Sequence, residues 1–115
     1  MNGLNKLEEA VLNWVSEHTE NSRLINQLST AQLKEREWTK VGFHIQLEVD
    51  KDCESLNEKF PITGPVIESK DIEHNGGLLI WGEDGCVSGL ELFAYGSYFK
   101  ESVSEFKLSK LENYK

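Results

Sequence analysis

The chain has 115 residues and a formal net charge of −8, and a chain of this length forms one domain, residues 1–115, that buries roughly two-thirds of its unfolded surface. Its 20 acidic residues against 12 basic ones leave no basic footprint, which argues against direct binding to nucleic acid or to an anionic membrane. The sequence has neither an apolar run long enough to span a membrane nor the basic start of a signal peptide, so we expect a cytoplasmic protein.

Residues 1–20 predict a helix with one apolar face. Hydrophobic side chains recur there at intervals of three and four, and Asn2 or Asn5 precedes the pattern as the N-cap. The next apolar residues, 24–28, predict at most a short second helix or a buried linker. The apolar positions of the first helix are Leu4, Leu7, Val11, Trp14 and Val15.

Residues 33–49 predict a pair of antiparallel strands. Apolar and polar residues alternate over 41–49, which is typical of a half-buried strand, and residues 33–38 are expected to pair with it. The turn between them falls at Thr39 and Lys40. Neither residue favours a two-residue hairpin turn, so a bulge or a longer connection fits equally well.

Residues 76–96 predict a β-hairpin and are the most apolar stretch of the chain. Two apolar runs, 78–81 and 87–95, flank the turn sequence Asp84-Gly85. Asp-Gly supplies the positive φ angles that a tight hairpin turn requires.

The elements together predict an α+β fold. We expect an antiparallel sheet of about five strands over residues 33–96, with the N-terminal amphipathic helix packed on one face. Within it, residues 50–59 form an exposed loop or short helix and residues 66–72 a further strand. Residues 97–115 are a closing segment, either a helix or an edge strand.

The negative charge is concentrated in the middle of the sequence. Residues 41–95 contain eleven Asp and Glu but three Lys and Arg, whereas the two ends are nearly neutral. An acidic region of this kind favours a cationic partner. It also serves solubility alone, and composition does not separate the two explanations.

The residue types that carry chemistry form no catalytic or metal-binding pattern. His18, His44 and His74 lack the spacing that places two imidazoles on one metal ion. Cys53 and Cys86 stand alone, so we expect two reduced, structural thiols rather than a disulfide framework or a zinc site. We therefore predict no catalytic residue, no metal and no cofactor.

Two stretches of the sequence resemble a family of small, largely uncharacterised bacterial α+β proteins. They are REWTKVGF at 36–43 and LELFAYG at 90–96. In that family an Arg-Glu-aromatic-Thr-Gly-Val-Gly-Phe strand pair precedes a terminal hairpin that ends in Leu-Glu-x-aromatic-x-Tyr. This chain departs from the pattern at Lys40, where the family has Gly, at His44, where it has Phe, and at Ala94, where it has a hydroxyl.

The chain also resembles, in size, charge and general character, the immunity proteins of bacterial toxin systems, including contact-dependent growth inhibition. These are small, acidic, cytoplasmic proteins that each neutralise one toxin. The resemblance implies a non-enzymatic inhibitor that binds a basic toxin, such as a nuclease domain, through an acidic surface. The candidate partner-binding residues are eight carboxylates and two aromatic anchors: Glu48, Asp50, Asp52, Glu68, Asp71, Glu73, Glu83, Asp84, Trp81 and Tyr98.

Two other classes of protein fit the same sequence. A small enzyme or ligand-binding protein would have a polar pocket near Glu91 and His44, because Glu91 lies between two leucines in an apolar strand. An accessory subunit would instead expose a contiguous apolar patch on the helix or the last strand.

Overall fold

The structure is a computed structural model that describes residues 2–50 and 52–110. These residues form two helices and one antiparallel sheet with the strand order β1-β2-β6-β5-β4-β7, in which β3 also pairs with β5. The helices are α1 (Lys6–His18) and α2 (Ser22–Ser29), and the strands are β1 (Gln32–Trp38), β2 (Gly42–Glu48), β3 (Ile62–Thr63), β4 (Val66–Glu68), β5 (Gly76–Glu83), β6 (Cys86–Ala94) and β7 (Lys107–Ser109).

The sheet has seven strands, so the prediction of about five strands is wrong. The additional strands, β3 and β7, are two and three residues long, too short to show the alternation that identifies a strand in a sequence. The strand predicted over 66–72 ends at Glu68. The chain turns after it, and Ile72 contributes an isolated bridge to Phe99.

Both hairpin turns depend on positive φ angles. Asp84 and Gly85 have φ values of 53° and 81°, and they connect β5 directly to β6, as the Asp-Gly pair predicted. The connection between β1 and β2 has three residues, 39–41, and its central Lys40 has a φ of 75°. Gly adopts such an angle without strain, whereas Lys40 carries a Cβ atom.

The inner face of the sheet carries the hydrophobic core. The register places Phe43 opposite Leu92 and Ile80 opposite Leu90, all of them buried. A β-bulge at Trp81/Gly82 shifts the pairing of β5 with β6 by one residue, which returns Val87 to the inner face. Buried side chains of both helices join the same cluster: Leu7, Val11, Leu12, Val15, Leu24 and Leu28.

A capping box and an ion pair fix the start of α1. The Asn5 side chain accepts a hydrogen bond from the Glu8 backbone N–H at 2.8 Å, and the Glu8 carboxylate accepts one from the Asn5 N–H at 2.9 Å. The buried Glu8 carboxylate also binds Arg36 of β1, with 2.6 Å between Nε and Oε2. This hydrogen-bonded carboxylate raises the pKa of Arg36, and the pair connects α1 to the edge of the sheet.

We expect Arg36→Met to lower the free energy of unfolding by about 3 kcal/mol, because it leaves the buried Glu8 carboxylate without its cation. Urea denaturation measures the change. Lys34→Met, two residues away on the same strand, is the matched control and should change stability by less than about 0.5 kcal/mol. Equal stability of the two variants would contradict the structural role of the ion pair.

Candidate protein-binding surface

The structure divides nine of the ten candidate residues between the two ends of the sheet. Glu48 ends β2 beside the start of β6, and Glu83 pairs with Cys86 at the tip of the β5–β6 hairpin. The loop after β2 reaches the same tip. We call this group the acidic end, and its members are Glu48, Asp50, Asp52, Glu54, Glu83 and Asp84, all exposed.

A disulfide joins the two segments of the acidic end. Cys53 of the loop is bonded to Cys86 of β6, with a sequence separation of 33 residues and 6.7 Å between the Cα atoms. The prediction of two reduced thiols is therefore wrong. Only the folding of the loop back onto the hairpin brings these cysteines together, and their isolated positions in the sequence give no sign of it.

The side chain of Gln27, in α2, bonds to both the loop and the hairpin. Its Nε2 donates to the carbonyls of Glu54 and Gly85 at 2.7 and 3.1 Å, and its Oε1 accepts from the Val87 N–H at 2.8 Å. Gln27 is 2% exposed, so these bonds are shielded from water. Sequence reasoning did not identify Gln27. Its position between Leu24 and Leu28, on the apolar side of α2, is the feature that indicates a buried polar side chain.

The loop contacts the hairpin at further points. The Leu56 N–H donates to the Gly85 carbonyl at 2.9 Å, and the Leu56 side chain is buried. Gly85 lies against Ser55 so closely that a Cβ atom at this position would overlap the serine side chain. Arg23 of α2 donates to the Ser55 carbonyl at 3.0 Å. An irregular segment is thus held in one conformation by backbone and side-chain bonds.

Between α2 and this loop lies a small polar cavity of about 140 Å³. Asp50, Asp52 and Glu54 line one side of it, and Arg23 lines the other. Arg23 Nε lies 4.0 Å from the Glu54 carboxylate, and both side chains are exposed, so the pair contributes little to stability.

At the opposite end of the sheet the candidate residues bond within the chain. Glu73 accepts hydrogen bonds from the Ser97 hydroxyl and from the Ser97 N–H, both at 2.7 Å, and these bonds lower the pKa of Glu73. Asp71 is buried, with one carboxylate oxygen 3.7 Å from Lys100 Nζ. Glu68 and Tyr98 are exposed. This end therefore offers fewer unpaired carboxylates than the acidic end.

Trp81 lies on the outer face of the sheet, separate from both groups. Its side chain is 42% exposed, and its indole N–H donates to Glu91 Oε1 at 3.2 Å. Glu91 is directly opposite His44 in the β2–β6 register. The structure thus brings together the pair proposed for a polar pocket, but His44 is exposed, so the two side chains lie on an open sheet face.

We expect the Cys53→Ser/Cys86→Ser double variant to lower the free energy of unfolding by about 3–4 kcal/mol, because a cross-link over this separation restricts the unfolded chain. Thermal or urea denaturation measures the loss. Reduction of the wild type with dithiothreitol should lower its stability by the same amount. The same reductant should not change the stability of the double variant. A double variant as stable as the oxidised wild type would contradict this role.

We expect Ser97→Ala to raise the pKa of Glu73 toward its ordinary value of 4.5, because the hydroxyl is the main group that stabilises the carboxylate. Since the native pKa is the lowered one, the contact stabilises the fold above the unfolded-state pKa and is lost as the pH falls through the native pKa. NMR titration of the Glu73 carboxyl carbon measures the shift. Ser102→Ala is the control, and a Glu73 pKa unchanged by Ser97→Ala would refute the assignment.

Neither helix in the described part of the chain is long and apolar enough to cross a membrane. Among residues 2–50 and 52–110, no group of three or more His, Cys, Asp and Glu side chains is placed to hold a metal ion. Comparison of the chain with protein-family models, with curated proteins and with solved structures gives no match.

Proposed function

We propose that this protein is an immunity-type inhibitor that neutralises a basic toxin, such as a nuclease domain, by stoichiometric binding through the acidic end. The observation that carries the proposal is the joining of two acidic segments into one surface. The Cys53–Cys86 disulfide and the Gln27 side chain hold the loop that bears Asp50 and Asp52 against the turn that bears Asp84.

A fixed acidic surface suits this task. Proteins that act on RNA or DNA bind the phosphate backbone with Lys and Arg, so a rigid array of carboxylates competes for the same cationic groups. Complementary charge accelerates the encounter and disfavours wrong partners. Because the loop is already held by its disulfide and hydrogen bonds, little conformational entropy is lost when the partner binds.

We infer that α1 packs across the inner face of the sheet. Leu7, Val11 and Val15 of α1 are buried in the same cluster as the inward residues of the strands, and Glu8 binds Arg36 at the edge of that face. The helix would then cover the core and leave the acidic end and the outer face accessible to a partner.

The disulfide bears on where the inhibitor acts. Disulfides persist in oxidising compartments and are rare in cytosolic proteins, so the Cys53–Cys86 bond weighs against the cytoplasmic location that the sequence predicts. The proposal for the acidic end does not depend on the compartment, because Gln27 and Leu56 also tie the loop to the hairpin.

The test is reversal of charge at the acidic end. We expect Asp52→Lys/Asp84→Lys to slow association with the toxin captured by the wild-type protein by about tenfold or more, because steering by complementary charge is lost. Association rates are measured at low and at high salt, together with a toxin-protection assay in cells. The variant should also lose most of the salt dependence.

The matched control is Glu101→Lys/Glu105→Lys, which changes the net charge equally at two exposed residues outside the acidic end. We expect its association rate to stay within about twofold of the wild type, since local rather than net charge steers the encounter. If both double variants bound and protected equally, the acidic end would not be the binding surface.

A further inference from the structure

The outer face of the sheet carries a second surface, formed by apolar and aromatic side chains. The register places Leu79 opposite Glu91 and Gly77 opposite Phe93 on this face. Trp81 and Tyr95 are 42% and 52% exposed, which is high for side chains of this size. We call Leu79, Trp81, Phe93 and Tyr95 the aromatic strip.

Two rings of the strip rest on a glycine. A Cβ atom at Gly77 would lie 2.7 Å from Phe93 Cζ and 3.2 Å from the Tyr95 hydroxyl, so the absence of a side chain there makes room for both. The Phe93 and Tyr95 rings are 5.6 Å apart and meet edge to face. This contact fixes their positions, and the strip is therefore organised before any partner binds.

The charges around the strip are mostly negative, although Lys107 of β7 lies opposite Glu68 of β4 in the same sheet. On the four neighbouring strands β1, β2, β6 and β5, the charged residues that the register directs outward are all carboxylates. Arg36 of β1 faces inward and binds Glu8. The neighbouring lysine, Lys34, is the extra residue of the β1 bulge. The outward carboxylates are Glu35, Glu37, Glu48, Glu83 and Glu91.

This charge pattern decides which kind of partner fits. Two copies of the chain stacked through their outer faces would bring like charges together, which is destabilising. Nucleic acid and anionic lipid would be repelled in the same way. An aromatic surface framed by carboxylates instead favours a cationic side chain with a flat face.

We propose that the outer face binds an arginine side chain of a basic protein partner, with the guanidinium stacked on Trp81 and paired with Glu91. The class of partner rests on the proposed function, but the binding surface assigned here is a different one. The indole N–H bond to Glu91 Oε1 at 3.2 Å holds both groups in place. Arginine fits better than lysine, because a planar guanidinium stacks on an aromatic ring and binds a carboxylate through two N–H groups.

The test uses a short neutral-capped peptide, Gly-Arg-Gly-Arg-Gly, and the matched peptide Gly-Lys-Gly-Lys-Gly, followed by NMR of the full chain. We expect the arginine peptide to shift the Trp81 indole N–H and the amides of β5 and β6, with an affinity about threefold or more above that of the lysine peptide. Trp81→Leu and Glu91→Gln should each weaken binding by about two- to fivefold. Glu91→Gln keeps an oxygen acceptor for the indole and removes only the charge.

Glu105→Gln, an exposed carboxylate outside the outer face, is the control and should bind the arginine peptide as the wild type does. Shifts confined to the acidic end, or equal affinity for the two peptides, would overturn this inference and leave the proposed function untouched. Shifts at Trp81 that persist in Asp52→Lys/Asp84→Lys would support it independently of the acidic end. Line broadening that grows with protein concentration alone would overturn it in favour of self-association.

Discussion

The cost of burying polar backbone groups governs the architecture of this protein. The loop over residues 52–60 has no regular strand or helix, yet it lies against the β5–β6 hairpin, where its carbonyl and N–H groups lose water. Such groups are costly unless they are bonded. Gln27 of α2 bonds to one loop group, the Glu54 carbonyl, and to two hairpin groups, the Gly85 carbonyl and the Val87 N–H. The loop N–H of Leu56 donates to the Gly85 carbonyl. Because these hydrogen bonds hold the loop against the hairpin, the carboxylates of the two segments form one surface, the acidic end.

The two faces and two edges of the sheet have different physical roles. The inner face carries the core, and the outer face combines the aromatic strip with carboxylates. The edge strand β1 has alternating charges over residues 34–37, and the Leu33 N–H is taken by the Asn2 carbonyl. Charged side chains on an edge and a short final strand, β7, discourage pairing with other chains. Pairing of further strands at these two edges is therefore disfavoured.

Long elements with a clear period were predictable from the sequence. The first helix, the strand over 42–48 and the Asp-Gly hairpin follow from local patterns, because their periodicity or turn chemistry lies within a few residues. The short strand β3 was not predictable, and β7 was predicted only as one of two alternatives for the closing segment. The pairing of these strands with β5 and β4 depends on residues far away in the chain. The candidate carboxylates were chosen by charge alone, which says nothing of whether a side chain such as Asp71 is buried beside Lys100.

By itself, the sequence determined the amphipathic helix, the central hairpin and the excess of negative charge between residues 41 and 95, because each is a property of neighbouring residues. The tertiary structure alone decided which carboxylates share a surface, that Cys53 and Cys86 are bonded, and that Trp81 and Glu91 meet on an open face. Those are long-range or cross-strand contacts. They form between residues that are far apart in the sequence, so no local pattern predicts them. They also depend on which groups hydrogen-bond to the buried backbone.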